Sequence, residues 1–229
     1  MISTEWLRSG RRVKVLVGHY GSGKTELAVN MALALRKSAP VMLVDLDIVN
    51  PFFRSAEVKP LLAEHGVEIV YPAYALSGVD IPILPAEVER AFTTDGFSVF
   101  DVGGDDDGAV ALGGFSALLE RRGYSMLYVV NPYRELEPDP EEDAALLERI
   151  QQSSRLRVTY LVNNANLGPE TTPQLVREAA PYLGELSRIT GIPVLWTAVE
   201  SRYAGQFPPD GILPIEVYVK LPWDEEEKR

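Results

Sequence analysis

Cysteine is missing altogether from the 229 residues. Its lack excludes a disulfide framework, a thiolate zinc site, an iron–sulfur cluster held by the chain's own side chains, and a cysteine nucleophile. Positive charge is in deficit: 22 Lys and Arg stand against 33 Asp and Glu, a formal charge of −11. A general nucleic-acid binder needs clustered Lys and Arg to displace counterions, so this balance points away from one. Long apolar runs are lacking as well. None approaches the ~20 residues of a spanning helix, and the opening MISTEWLRSGRR has no stretch that would serve as a signal-peptide core. The closing VKLPWDEEEKR is short and acidic where an amphipathic anchor would want a basic face. A cytoplasmic protein is the expectation, with no strong sign of nucleic-acid or membrane binding.

What is there is an ordinary globular balance, 46% hydrophobic and 24% charged. A chain of this length buries roughly 70–75% of its unfolded surface, enough for one core. With no repeat, low-complexity tract or linker in view, a single domain over residues 1–229 is expected. Apolar runs read as strands at 13–17, 41–46, 67–70, 97–102, 125–130, 156–162 and 193–196. Helical patterns lie at 26–36, 87–92, 109–121, 141–152 and 173–190. The strands are continuously apolar rather than alternating, as strands covered on both faces are, and the helix-length segments between them make βα units. The expected fold is α/β, three α/β/α layers around a mostly parallel sheet of about seven strands. The stretch PYRELEPDPEED, Pro132 to Asp143, reads as an exposed loop leading into a helix.

One motif stands out. Gly18-His19-Tyr20-Gly21-Ser22-Gly23-Lys24-Thr25 fits G-x-x-x-x-G-K-[ST], between an apolar strand that ends at Val17 and a helical pattern that opens at Thr25 or Glu26. Glycines let successive backbone N–H groups turn inward around a phosphate, and a helix N-terminus adds the positive end of its dipole. Gly18 through Glu26 is therefore the candidate nucleotide-binding segment. Lys24 would contact the β- and γ-phosphates, and the Thr25 hydroxyl would coordinate Mg²⁺.

Mg²⁺ asks for carboxylates, often through water, and a parallel sheet offers them at the C-terminal ends of its strands. Asp101 ends FSVFD and begins D-x-x-G; Asp45 and Asp47 end VMLVDLD. An aspartate there is also a common cap or turn former. Beside a phosphate loop, Asp47 and Asp101 become candidate metal carboxylates together with Thr25. Asp105, Asp106 and Asp107 lie among Gly103, Gly104 and Gly108, and read as a nucleotide-responsive loop rather than a second metal cage.

The segments GHYGSGKTELAVNMALAL, VMLVDLDIVNPFFRS and VFDVGGDDDGA resemble, in order and spacing, the ParA/MinD-type branch of P-loop ATPases, the deviant Walker-A group of the SIMIBI class, and within it a bacterial ATP-binding subfamily. The resemblance extends over residues 13–196. It implies a P-loop nucleoside triphosphate hydrolase fold, Mg²⁺-dependent ATP binding with slow hydrolysis to ADP, and a switch read by a protein partner, with a nucleotide-dependent homodimer as one form of it. Lys24 and Asp47 would be its catalytic residues, Asp47 orienting the attacking water. Asn50–Arg54 would be the first switch segment and Asp101–Asp105 the second, and Asn163 in YLVNNANLG would contact adenine. A guanine-specific relative would show N-K-x-D where this chain reads N-N-A-N. The family's loop begins K-G-G, its lysine reaching across a dimer. That place holds His19, followed by Tyr20, and a neutral imidazole stabilises charge more weakly than an ammonium. Arg54 is a candidate replacement cation; otherwise His19 and Tyr20 shape the loop.

Two alternatives stay open. One is an ATP-dependent small-molecule ligase or kinase resembling dethiobiotin synthetase, with an acceptor pocket at Tyr71, Tyr74 and the loop to Ile83. The other is a binding module that holds nucleotide without turning it over. His65 reads as a helix-end or surface residue, and Trp6 and Trp223 as packing near the termini.

Overall fold

A computed structural model describes residues 2–47, 58–70, 86–135 and 137–218. Asn50–Arg54, Tyr71, Tyr74, Ile83 and Trp223 lie outside the described residues, as do the side chains of Asp105, Asp106 and Asp107. The strands are β1 (Val13–Val17), β2 (Val41–Leu46), β3 (Val67–Val70), β4 (Phe97–Val102), β5 (Tyr124–Val130), β6 (Tyr160–Asn163), β7 (Val194–Glu200) and β8 (Ile212–Ile215). The helices are α1 (Ile2–Ser9), α2 (Lys24–Arg36), α3 (Val58–Glu64), α4 (Ala86–Thr93), α5 (Asp105–Gly113), α6 (Ser116–Arg122), α7 (Pro140–Ser154), α8 (Pro173–Glu178) and α9 (Ala180–Thr190).

All eight strands join one sheet in the order β3-β2-β4-β1-β5-β6-β7-β8, and every pairing in it is parallel. The central strands β1, β2 and β4 are buried at every position, while the edge strand β3 is not. Successive residues still go to different layers. Val13, Val15 and Val17 of β1 join a core with Ala109, Leu112, Leu119, Leu146, Leu147 and Leu186. Leu16 instead joins one with Leu7, Leu27, Met31, Leu35 and Leu62. Helices α1, α2 and α3 thus cover one face, and α5, α6, α7 and α9 the other. This is the three-layer α/β/α arrangement.

The chain crosses to one side of β1 for β2, β3 and β4, and to the other for β5 through β8. That reversal opens a crevice at the C-terminal end of β1, where open α/β sheets bind ligands. The sheet has one more strand than the apolar runs suggest. β8 is four residues long and contains Pro214, which an edge position tolerates. β6 starts only at Tyr160, because Leu156 and Val158 give their N–H groups to Ser154 Oγ and Gln151 Oε1 of α7 rather than to a ladder. β7 runs on to Glu200. The single helices expected at 109–121 and 173–190 are each two. His65 sits just past α3 with Nδ1 2.9 Å from the Leu61 carbonyl, a helix-end contact, and Trp6 packs edge-on against Trp196 and Tyr160.

Candidate functional site

Residues 18–25 turn directly from β1 into α2. Gly21 and Gly23 take φ of +74° and +86°, a region that residues with a β-carbon seldom enter. Gly23 is also the residue that opens α2, with no side-chain cap on the helix's first N–H groups. Lys24 is buried, and its ammonium donates to the carbonyls of Gly18 at 3.1 Å and His19 at 2.9 Å. The lysine is thereby held underneath the loop. Ser22 is buried too, and its hydroxyl has no hydrogen-bond partner among the described residues.

Thr25 is the first contact between the loop and the acidic strand ends. Its hydroxyl donates to Asp101 Oδ2 at 2.7 Å. Asp101 is 1% exposed, and its other oxygen, Oδ1, has no hydrogen-bond partner among the described residues. Burial pushes its carboxyl up to about 7; the Thr25 hydrogen bond and the Lys24 charge oppose that shift, and Asp47 adds to it. Asp45 lies directly opposite Asp101 across the β2–β4 ladder, and its Oδ1 accepts the Asp47 N–H at 2.9 Å. This makes Asp45 the residue that shapes the strand end, while Asp47, half-buried, faces Gly103: a β-carbon there would lie 3.3 Å from Asp47 Oδ1. Among the described residues no group of three or more His, Asp or Glu forms a metal cage. A hydroxyl beside a buried carboxylate with an unbonded oxygen is instead a partial, all-oxygen donor set. It fits a hard cation such as Mg²⁺, which keeps several waters and takes further oxygens from phosphate.

The β4–α5 connection presses on the loop. A β-carbon at Gly104 would lie 2.6 Å from the Tyr20 Cα. His19 turns outward, Nδ1 3.1 Å from the Tyr20 carbonyl and Nε2 3.2 Å from Glu135 Oε1, a pair that is an ion pair when the imidazole is protonated. Tyr20 is 45% exposed. Glu26, expected with the phosphate binders, accepts the Tyr218 N–H at its Oε1 at 2.9 Å.

The late strand end divides its two asparagines. Asn163 is buried, its Oδ1 accepting from the Ala165 N–H at 3.1 Å and its amide donating to Thr197 Oγ1 at 3.4 Å. Asn164 is the one that reaches the loop, donating to the Ser22 carbonyl at 2.7 Å and passing so close to Gly23 that a β-carbon there would collide with it. The motif does not include Asn164. Nor does it include Arg134, whose Nε donates to the Tyr20 carbonyl at 3.0 Å. The sequence gives no signal for Arg134 and reads Asn164 only as part of N-N-A-N at a strand end; the contact of each with the loop is tertiary, over more than a hundred residues. A cavity of about 260 Å³ opens beside His19, bordered by Arg134, Glu135, Asp139, Asp143 and Tyr182.

No known family model matches the chain, and no curated protein matches it either. Solved structures do. The cell division protein FtsY of Thermotoga maritima aligns with 86% of this chain and 68% of its own, at 16% identity and a TM-score of 0.54. The 54 kDa signal recognition particle protein of Aeropyrum pernix, solved with GDP, aligns with 84% of this chain at 18% identity and a TM-score of 0.53. The signal recognition particle receptor FtsY of Elizabethkingia anophelis, also with GDP, aligns with 83% at 22% and 0.50. The chain spans 42% and 57% of the latter two proteins. The likeness is one of fold: this chain shares the three-layer α/β/α P-loop fold with those structures.

Proposed function

We propose that this protein binds Mg·ATP, hydrolyses it slowly to ADP, and serves as a nucleotide-dependent switch for a protein partner. The observation that carries this reading is the convergence of Lys24, Thr25 and Asp101 where β1 turns into α2, with Thr25 and Asp101 hydrogen-bonded at 2.7 Å. The loop's backbone N–H groups surround the phosphates, and Lys24 moves its ammonium from the loop carbonyls to the β- and γ-oxygens. Thr25 and Asp101 would hold Mg²⁺, which neutralises charge on the phosphates. Asp47 orients the attacking water, and Gly103 and Gly104, packed against Asp47 and Tyr20, carry the state of the terminal phosphate to the β4–α5 connection. Phosphoryl transfer asks little else of the protein than this positioning and electrostatics.

Adenine is favoured over guanine because residue 166, where a carboxylate would accept guanine's N–H groups, is Asn166, and its amide already donates to the Asn164 carbonyl at 2.7 Å. A ParA/MinD-type membership remains part of this proposal, with the nucleotide-dependent homodimer that the resemblance implies. Calorimetry with Mg·ATP and Mg·GTP, beside an assay of ADP release, tests the reading. Binding of Mg·ATP that Lys24→Ala abolishes is the expected result. A variant that binds ATP as the parent does overturns the phosphate-loop role, and preference for GTP overturns the base assignment.

A second reading, an ATP-dependent small-molecule kinase or ligase, draws support from the cavity of about 260 Å³ beside His19 and Arg134. Turnover stimulated by a metabolite would favour it. Turnover stimulated only by a protein or by self-association favours the switch.

A further inference from the structure

The loop has a cation close by that neither the motif nor the strand ends account for. After β5 the chain makes a short 3-10 turn, Pro132–Arg134, started by Asn131. Asn131 Oδ1 accepts the N–H groups of Tyr133 and Asn166, both at 3.2 Å, and its amide donates to the Asn166 carbonyl at 3.0 Å. Pro132 is buried. The turn is thus tied to the β6 connection, and its last residue, Arg134, starts from an anchored backbone.

From there the side chain lies over the phosphate loop. Nε donates to the Tyr20 carbonyl at 3.0 Å, and Cζ is 5.6 Å from the centre of the Tyr20 ring. A β-carbon on Gly21, in the middle of the loop, would come within 2.9 Å of Cζ. Gly21 therefore has two reasons to be glycine, its positive φ and the guanidinium lying on it. A guanidinium carries five N–H donors. The bond to Tyr20 uses one, and the side chain is exposed, its other donors without a hydrogen-bond partner among the described residues. The other nearby cation of the loop, Lys24, comes from beneath, bonded to Gly18 and His19.

We propose that Arg134 is a second phosphate-binding cation of this site, supplied by the same chain from above the loop, and that it contacts the terminal phosphate of a bound nucleoside triphosphate. The inference rests on the nucleotide reading given above. The physical reason is the match between a planar guanidinium and phosphate oxygens, to which two parallel N–H groups donate together. In phosphoryl transfer an arginine supplied in this way stabilises charge that spreads over the terminal phosphate. The Tyr20 carbonyl and ring hold the side chain near its target in the meantime.

The test compares affinities for Mg·AMPPNP and Mg·ADP, measured by calorimetry in the parent, Arg134→Ala, Arg134→Lys and Lys24→Ala, with the guanine pair run in parallel. A contact to the terminal phosphate gives preference for the triphosphate, so Arg134→Ala should reduce the triphosphate-to-diphosphate affinity ratio by ~10-fold or more, the size of a charge-assisted hydrogen bond. Arg134→Lys, which keeps charge and loses the fork, should fall between. If the parent turns over, Arg134→Ala should lower kcat by ~10²-fold or more. An unchanged ratio, or an equal loss of affinity for both nucleotides, overturns the proposal and leaves Arg134 as packing for the loop. The nucleotide reading fails separately, if the parent binds neither nucleotide or Lys24→Ala binds like the parent.

Discussion

Asp47 and Asp101 stand at the ends of neighbouring strands, yet their surroundings give them different chemistry. Asp101 is 1% exposed and bonded to Thr25; Asp47 is half-buried, beside Gly103. An aspartate that orients water needs that opening, and one that orders a metal with Thr25 does not. Asp47→Ala is expected to keep Mg·ATP affinity within a few-fold and to lose ~10²-fold or more in turnover, the scale of losing a positioned general-base or water-orienting group. Normal ADP release from that variant would remove Asp47 from the chemistry. Asn164→Ala makes the converse prediction. It deprives the buried Ser22 carbonyl of its 2.7 Å donor, a loss of ~1–3 kcal/mol for an unsatisfied buried group. The melting temperature and the affinity for nucleotide should therefore fall together, and loss of one without the other would mean that Asn164 does not brace the loop.

At the scale of elements, contacts between connections hold the β4–α5 connection against the β1–α2 loop. Gly104 has φ −64°, which any residue adopts, so the demand for glycine there is purely steric: Tyr20 Cα lies 2.6 Å and Tyr20 N 2.7 Å from where a β-carbon would be. Both are backbone atoms and cannot rotate away. Gly104→Ala should force the β4–α5 connection off the phosphate loop, at a cost of ~1–3 kcal/mol, and weaken nucleotide binding. A variant as stable and as tight as the parent would show that the two connections move independently. Such contacts explain what was legible in the sequence. β1, β2, β3 and β4 are legible to the residue because their apolar runs are bounded by glycine, proline or charge, and the turn from β1 into α2 because its glycines lie in one consecutive stretch. The strand expected from 156 starts only at Tyr160, because side chains of α7 take the N–H groups of Leu156 and Val158 and the Tyr124 hydroxyl of β5 takes that of Arg157. The breaks after Gly113 and Glu178 fall at Gly113-Gly114 and just before Pro181, turn and helix-start signals across which the apolar periodicity continues. Arg134 and Asn164 became visible only once β5 and β6 were placed beside β1, since no local spacing encodes that approach.

The whole molecule carries a charge at the end of the sheet opposite the site, and its stability should report it. Lys14 of β1 is fully buried, its side-chain nitrogen has no hydrogen-bond partner among the described residues, and it lies 4.0 Å from the centre of the Trp6 ring. A cation–π contact offsets part of the cost of desolvation, but burial still lowers the lysine to about 7 from 10.5. The sign follows from proton counting. Between about 7 and 10.5 the unfolded chain holds a proton on Lys14 that the folded chain has released, so folding becomes more favourable as pH rises through that window. Below about 7 both states are protonated and the full penalty of burying the charge is present. Other groups also titrate, so the informative quantity is the difference between the parent and Lys14→Met, which keeps the length and removes the charge. Lys14→Met should be the more stable protein at neutral and acid pH. Its advantage should shrink by up to ~1.4 kcal/mol per pH unit as pH rises toward 10.5, the limit for one proton. Urea unfolding of both proteins across pH 6 to 10 measures this. A constant difference over that range would mean that Lys14 stays protonated in the folded chain and that its pairing with Trp6 is strong enough to hold a charge inside the sheet.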